Sequence, residues 1–485
     1  MSELLKKAQI YQEEKADGVP ELQRPGFHAS SPIGWINDPN GWSVYKGEYH
    51  LFFQYHPYNT HNGLMHWGHM VTRDFITWSR MPVALAPDME YDNKGCFSGS
   101  AIDYKGEHIL MYTGVYEKET EGIEETYQVQ CIAVGDGEKY IKSEYNPVIT
   151  ADMLPEGFNI HDFRDPKIWK KHDAFYAIIG SKGKDNDGQV VLFKSKNLKE
   201  WEYVSSLDQS EQRYGKMWEC PDLFTLDGQD VLLTSPQFME AEDLEFHNGN
   251  GTMCIIGKVD NRNKLIRSNL QAIDYGLDFY APQTLEAADG RRIMIAWLQS
   301  WDNYITPEEF EWSGVMSIPR VLTLRGNRLY QYPVREIEAF RSNQFLKTLT
   351  VIAGESYIEL VKGRQIDLIL KLKKVECSYF EIKLACGERK YTQITYEPVK
   401  EMITFDRSHS GLHKDVQCIR KMKVDPFGKE IEIRILMDKY TIEMFIDGGK
   451  YAMSSLIYTD LAFDKIDFDT DGQVGLVIEK YDICV

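Results

Sequence analysis

The sequence predicts an all-β chain, a propeller followed by a sandwich, and three observations carry that prediction. Between about Gly26 and Leu329, short strand-like runs such as Tyr49-His50-Leu51-Phe52-Phe53-Gln54-Tyr55 and Val190-Val191-Leu192-Phe193 recur, with Gly, Asp and Asn turns between them. Thr72-Arg73-Asp74-Phe75-Ile76-Thr77-Trp78 recurs as Ser195-Lys196-Asn197-Leu198-Lys199-Glu200-Trp201, in the pattern hydroxyl, any, Asp or Asn, apolar, any, any, Trp. Repeated β units of this kind mark a propeller. Farther on, Ile366, Leu368, Leu370 and Leu372 alternate with their neighbours. So do Ile431, Ile433 and Ile435, and Tyr440, Ile442, Met444 and Ile446 ahead of the turn Asp447-Gly448-Gly449. This second β region reads as a sandwich.

In chain order, Leu4, Ala8 and Tyr11 fall at helical spacing behind Ser2 as a cap, so residues 1–25 are assigned to a helical extension clasping the next domain. Residues 26–332 form the propeller, residues 333–344 a short linker, and residues 345–485 the sandwich. Two domains also follow from size, because 485 residues and 56.2 kDa exceed one ordinary core.

Composition excludes several classes of function. With 74 acidic against 55 basic residues the net charge is −19, which repels phosphate backbones and anionic lipid, so neither nucleic acid nor membrane is an expected partner. No stretch approaches the ~20 apolar residues of a membrane span, and the first twenty residues hold no run of signal-peptide length. A cytoplasmic protein is expected. The eight cysteines lack the paired spacing of a zinc site or the density of a disulfide scaffold, and reduced thiols are expected. The 28 Tyr and 10 Trp suit a site that stacks rings on sugar faces.

Three carboxylates sit among aromatic and turn-forming residues: Asp38 in Trp35-Ile36-Asn37-Asp38-Pro39-Asn40-Gly41, Asp165 in Phe163-Arg164-Asp165-Pro166, and Glu219 in Trp218-Glu219-Cys220-Pro221-Asp222. In a propeller the innermost strand of each blade begins near the central channel, so acids from distant blades can meet in one pocket. Cleaving a glycosidic bond takes a carboxylic acid to protonate the leaving oxygen and a carboxylate across the reacting carbon. Asp38, flanked by Asn37 and Asn40, has amide dipoles to keep it ionised as a nucleophile, and equally it fits an Asx turn. Glu219, next to Trp218 and Cys220-Pro221, reads as a general acid whose pKa an apolar setting raises, or as a strand-end residue that packs. Asp165 reads as a holder of two sugar hydroxyls kept ionised by Arg164, or as half of an ordinary ion pair.

The chain resembles glycoside hydrolase family 32, the invertases and other β-fructofuranosidases. The resemblance rests on His28-Ala29-Ser30-Ser31-Pro32-Ile33-Gly34 running into the Asp38 segment. Phe53-Gln54-Tyr55-His56-Pro57, His66-Trp67-Gly68-His69, Phe97-Ser98-Gly99-Ser100 and the other two acid segments then follow in order. Asp278-Phe279-Tyr280-Ala281-Pro282-Gln283 and Ser317-Ile318-Pro319-Arg320 are similar to further family segments. The resemblance implies a five-bladed propeller with a C-terminal β-sandwich. It implies retaining hydrolysis of terminal non-reducing β-D-fructofuranoside residues, without cofactor or metal. By motif, Asp38 is then the nucleophile, Glu219 the acid/base and Asp165 the transition-state stabiliser. Asn37, Gln54, Trp67, Ser98 and Arg164 contact the fructosyl unit, Phe97 and Trp297 are apolar walls, and Tyr280 is a further contact. His28, His56, His66 and His69 are expected to be structural or pocket-lining, and Cys220 a small packing residue.

The leading expectation is a β-fructofuranosidase acting on sucrose and short fructo-oligosaccharides. The alternatives are a sucrose-6-phosphate hydrolase, for which Arg213 and Lys216 are basic candidates, a fructosyltransferase with the same acids, and a non-catalytic carbohydrate-binding protein. A small sugar is the expected partner, and any contact between copies is expected through the sandwich.

Overall fold

A computed structural model describes residues 1–485 apart from 121, 304, 355, 412–416 and 426–429. The α-helix Glu3–Ala16 starts where the Ser2 hydroxyl accepts the Leu5 N–H at 3.2 Å. It lies on the first blade, where Gln9 and Gln12 donate to the carbonyls of Val83 and Met81 at 2.8 and 3.0 Å.

Five antiparallel sheets follow. Their strands are Gly34–Tyr45, Glu48–His56, His66–Thr72 and Ser79–Arg80 in the first, and Gly95–Tyr104, Glu107–Thr120, Ile123–Gly135 and Tyr140–Lys142 in the second. The third has Phe163–Lys171, Ala174–Lys182, Gly188–Ser195 and Trp201–Gln209; the fourth has Met217–Leu226, Gln229–Gln237, Met253–Val259 and Leu265–Ala272. The fifth, Tyr280–Glu286, Arg292–Trp297, Arg320–Arg325 and Arg328–Pro333, is interrupted by a segment whose Trp312–Ser313 pairs in parallel with Gly34-Trp35 and so closes the ring. The first strands of successive blades touch one another around the axis. This is a five-bladed propeller.

The repeat read in the sequence has a physical origin. Between the third and fourth strands of the first blade, Thr72 Oγ1 accepts the Phe75 N–H at 2.9 Å, Asp74 Oδ1 accepts those of Ile76 and Thr77, and Phe75 sits at φ +65°. In the third blade Ser195, Asn197 and Leu198 (φ +66°) make the same turn.

Two six-stranded sheets form the C-terminal sandwich. One runs, in spatial order, Arg341–Ile352, Gln473–Ile483, Ile366–Glu376, Ile431–Met437, Thr441–Ile446 and Tyr451–Leu456. The other runs Ser356–Lys362, Lys465–Thr470, Phe380–Gly387, Lys390–Glu397, Met402–Asp406 and Ile419–Lys423. Ile366, Leu368, Leu370 and Leu372 are fully buried against the facing sheet, as period-two alternation requires. Each such side chain stabilises by about 1.5–3 kcal/mol. The first sandwich strand begins at Arg341, within the stretch assigned to the linker. Only Arg335–Phe340 intervenes, as a 3-10 turn too polar for the alternating pattern to continue through it.

Propeller and sandwich share a buried seam of charge. His28 Nδ1 lies 2.9 Å from Asp438 and Nε2 2.9 Å from Glu443, while Arg320 bonds Glu443 (3.1 Å through Nε), Asp274 (3.0 Å) and Ser454 (2.6 Å). Asp278 takes Arg407 and the Leu456 N–H. The backbones come so close that a Cβ on Gly276 would fall 2.1 Å from the Ser454 carbonyl oxygen. Among the described residues no helix is long and apolar enough to cross a membrane.

Candidate active site

The site is built on a defect repeated five times. The first strand of each blade loses register with the second at a matching place: between Ile36 and Pro39, Phe97 and Gly99, Arg164 and Lys167, Glu219 and Asp222, and Tyr280 and Gln283, with a further shift between Asn40 and Ser43 in the first blade. Such bulges re-aim side chains, and proline, lacking an N–H, fits them without losing a ladder bond. Asp165, Cys220 and Ala281 take left-handed φ of +65°, +47° and +53° there. The sequence at the five bulges is Asn37-Asp38-Pro39-Asn40, Phe97-Ser98-Gly99-Ser100, Arg164-Asp165-Pro166-Lys167, Glu219-Cys220-Pro221-Asp222 and Tyr280-Ala281-Pro282-Gln283. The fourth residue of each group ties blades together below the site. Asn40 accepts the Gly99 N–H at 3.3 Å, Ser100 donates to the Pro166 carbonyl at 2.7 Å, Lys167 pairs with Asp222 at 2.9 Å, and Gln283 donates to the Gly99 carbonyl at 2.8 Å.

Above that ring the three acids meet. Asp38 Oδ2 accepts the Ser98 hydroxyl at 2.6 Å, and Oδ1 accepts the Asn37 amide at 3.2 Å, itself fixed by the Trp35 indole N–H at 2.8 Å. Asp165 Oδ2 accepts the Cys220 N–H at 3.0 Å. The Cys220 sulfur stands 3.5 Å from Asp38 Oδ2 and 3.6 Å from Asp165 Oδ2, between the two carboxylates. Glu219, the next residue, takes Arg164 Nε at 2.9 Å on Oε1 and the Tyr280 hydroxyl at 2.5 Å on Oε2. Arg164 also reaches Asp162 at 2.8 Å and Gln128 at 3.3 Å.

Crowding of like charge sets the electrostatics. Burial raises the Asp38 pKa and the Glu219 charge raises it further, against hydrogen bonds from Ser98 and Asn37. Asp165 is pushed up to about 7 by burial and the Glu219 charge, with Asp38 adding, while Arg164 and the Cys220 N–H oppose. Burial and the neighbouring carboxylates drive the Cys220 thiol up, so it stays protonated as a weak donor.

Four expectations change. Glu219 lies between a guanidinium and a phenol rather than among apolar groups, because strand alternation turns Trp218 into the core, where it donates to the Tyr214 carbonyl at 2.7 Å. Arg164 gives its hydrogen bonds to Glu219 and Asp162, which leaves Asp165 less firmly ionised than the adjacency Arg164-Asp165 suggests. Cys220 bonds both aspartates instead of merely packing. Trp67 is fully buried against Phe52 and Tyr112 and donates to the Phe97 carbonyl at 3.0 Å, so it holds Phe97 in place from behind.

The remaining candidates sort by exposure. Asn37, Asp38, Arg164 and Asp165 keep 4–8% of their surface, and the Glu219 side chain 13%. Ser98, bonded to Asp38, is 2% exposed, and Gln54, equally buried, donates its amide to the Cys96 carbonyl at 3.0 Å. Tyr280 and Trp297 lie behind the surface as cross-strand neighbours, and half-buried Phe97 packs on the same aromatic cluster. Sequence reasoning missed Trp301, partly exposed and 5.1 Å from the Trp297 ring and 6.4 Å from that of Trp35. Only its position four residues after Trp297 hinted at it. His28 belongs to the seam, and His69 stacks on Phe52 at 4.1 Å inside the first blade.

Residues 28–333 match the family description "Glycosyl hydrolases family 32 N-terminal domain", and residues 335–483 match "Glycosyl hydrolases family 32 C terminal". A sucrose-6-phosphate hydrolase of Zymomonas mobilis is 36% identical over 453 residues, spanning 90% of this chain and 87% of that protein. A raffinose invertase of Escherichia coli is 34% identical over 440 residues, spanning 90% and 89%. A β-fructofuranosidase of Bombyx mori, solved in complex with sucrose, superposes with a TM-score of 0.85 at 32% identity, covering 99% of this chain and 98% of that one. With both family domains matched in order along nearly the whole chain, this protein belongs to glycosyl hydrolase family 32.

Proposed function

We propose that the protein hydrolyses terminal β-D-fructofuranosides with retention, with sucrose and short fructo-oligosaccharides as substrates. The convergence of Asp38, Asp165 and Glu219 around Cys220 and Arg164 carries this reading. Asp38 attacks the anomeric carbon while Glu219 gives its proton to the departing glycosidic oxygen, leaving a fructosyl ester on Asp38. Glu219, now a carboxylate held by Arg164 and Tyr280, takes a proton from water. The water oxygen bonds the anomeric carbon as the ester bond to Asp38 breaks, which releases fructose and leaves Glu219 protonated for the next turnover. Asp165 bonds adjacent ring hydroxyls, and those bonds strengthen as positive charge grows on the ring. Asn37, Ser98 and Arg164 orient these acids, Gln54 lines the floor, and Phe97 walls it with Tyr280 and Trp297 packed behind.

Sucrose, 1-kestose, inulin and levan offered in parallel test substrate range, and initial release of β-fructofuranose by NMR tests retention. A single turnover that yields α-fructofuranose first overturns the mechanism. Hydrolysis of sucrose 6-phosphate is the second reading, favoured by the names of several relatives. Arg213 is engaged with Glu242 at the surface, so of the two basic candidates only Lys216, exposed three residues before Glu219, is open to a phosphate. Comparing kcat/KM on the two sugars decides between the readings.

The same proposal places residues 26–332 as the catalytic unit and residues 345–485 as its support, and a chain cut after Phe340 that kept full activity would overturn that division. It also places the protein in the cytoplasm, in keeping with eight cysteines that no disulfide joins.

A further inference from the structure

Asp165 has a left-handed backbone, and its bulge takes its N–H out of the third blade's ladder. Blade two supplies the replacement. The Asp165 N–H donates to Thr113 Oγ1 at 2.9 Å. That hydroxyl has one hydrogen to give, toward Gln130 Oε1 at 3.0 Å or the Ser98 carbonyl at 3.2 Å. Gln130, directly across the strand pair from Thr113, donates from Nε2 to the Phe163 carbonyl at 2.8 Å. Gln128 Oε1 accepts the Phe163 N–H at 2.8 Å and Arg164 Nη1 at 3.3 Å. Three side chains thus do for the backbone of Phe163-Arg164-Asp165 what a neighbouring strand does elsewhere. Thr113 and Gln130 are fully buried and Gln128 nearly so.

We infer that Thr113, oriented by Gln130, is a positioning residue for the reaction: its hydroxyl sets the Asp165 peptide, and through it the carboxylate, at the reacting ring. Three features separate this role from ordinary blade packing. The bond is made to the one left-handed acid of the three. The same hydroxyl is shared with the carbonyl of Ser98, the residue that holds Asp38. Asp165 must also reach the Cys220 N–H from the far blade, so a peptide tilted out of place loses that bond. A carboxylate without it holds its proton more tightly, so the acid limb of the rate profile moves to higher pH.

The inference rests on the proposed fructosidase reading, and the experiment separates the two. Wild type, T113V, T113S, D165N and T113V/D165N are assayed on sucrose across pH, with folding checked by thermal unfolding. T113V is expected to lose at least tenfold in kcat with KM within threefold and its acid limb shifted upward, while T113S stays within threefold of wild type. Against the D165N background, T113V is expected to change kcat less than twofold, because its effect passes through the missing carboxylate. Should T113V fail to fold, Gln130→Met carries the test, with a smaller kcat loss that likewise vanishes in D165N. Wild-type kcat and pH profile in T113V, or an equal loss with and without Asp165, overturns the positioning role alone. A wild type that releases no fructose overturns the functional reading and this one with it.

Discussion

Two buried clusters of charge, one at the mouth of the propeller and one in its seam with the sandwich, are opposite solutions to the same physical problem. In the seam, His28 and Arg320 interleave with Asp274, Asp438 and Glu443, and nothing there is exposed. Burial alone would lower the His28 pKa, but Asp438 and Glu443 override it and raise it to about 9. The same contacts hold Asp438 and Glu443 below the usual carboxylate range despite their burial. At the mouth three carboxylates share one guanidinium, and Asp38 and Asp165 are driven the other way. Paired buried charge pins two domains together; crowded buried charge is under electrostatic tension that chemistry can use.

The comparison breaks first at the acids. Asp38→Asn and Glu219→Gln, both near-isosteric, are each expected to cut kcat on sucrose by roughly 10³-fold or more. The melting temperature of Asp38→Asn should stay level or rise, since it removes a buried charge that the Glu219 charge repels. Steady-state kinetics with calorimetry reads both, and near-normal turnover in Asp38→Asn would remove it as nucleophile.

The seam should answer in reverse. Glu443→Gln strips Arg320 and His28 of a shared partner and is expected to cost about 3–5 kcal/mol of stability, with kcat at 25 °C within twofold of wild type. Urea unfolding measures the first and a sucrose assay the second. A large loss of kcat in a fully folded variant would mean that the seam shapes the site.

The pairing also predicts a pH signature. A histidine raised to about 9 in the folded state contributes its full stability below the unfolded value near 6.5 and loses it as pH climbs through 9. The shift corresponds to about 3 kcal/mol. Unfolding free energies at pH 6 and pH 9.5 should differ by roughly that amount in wild type and much less in His28→Gln.

What could be seen in the sequence follows the range of each interaction. Alternation at Ile366, Leu368, Leu370 and Leu372 is local and exposes the sandwich strands directly. The Thr72 and Ser195 turns show as a repeat because the side chains that close them lie within three residues. The five bulges share only a proline or glycine after a variable residue, Asp, Ser, Asp, Cys or Ala, too little for a fivefold motif to show in the sequence. Chain neighbours are no guide to the environment of Glu219, because a strand sends Trp218 and Glu219 to opposite faces. The seam was out of reach, since His28 and Asp438 lie 410 residues apart and neither has a local cue.

The smallest expected effect is the most direct measure of the tension at the mouth. Asp165 has an ordinary carboxylate pKa of 3.8 when unfolded and about 7 in place, so the folded state binds its proton more tightly. A group raised on folding helps stability at low pH and withdraws that help as pH rises through the folded value. Asp165→Asn, which cannot ionise, should therefore be more stable than wild type at pH 8 by about 1–2 kcal/mol, a deliberately low figure because Arg164 and the other acids readjust when one charge leaves. Near pH 4 the gap should close. Denaturant titrations at the two pH values read it, and a variant less stable than wild type at pH 8 would show Asp165 held like the seam acids, by attraction rather than against repulsion.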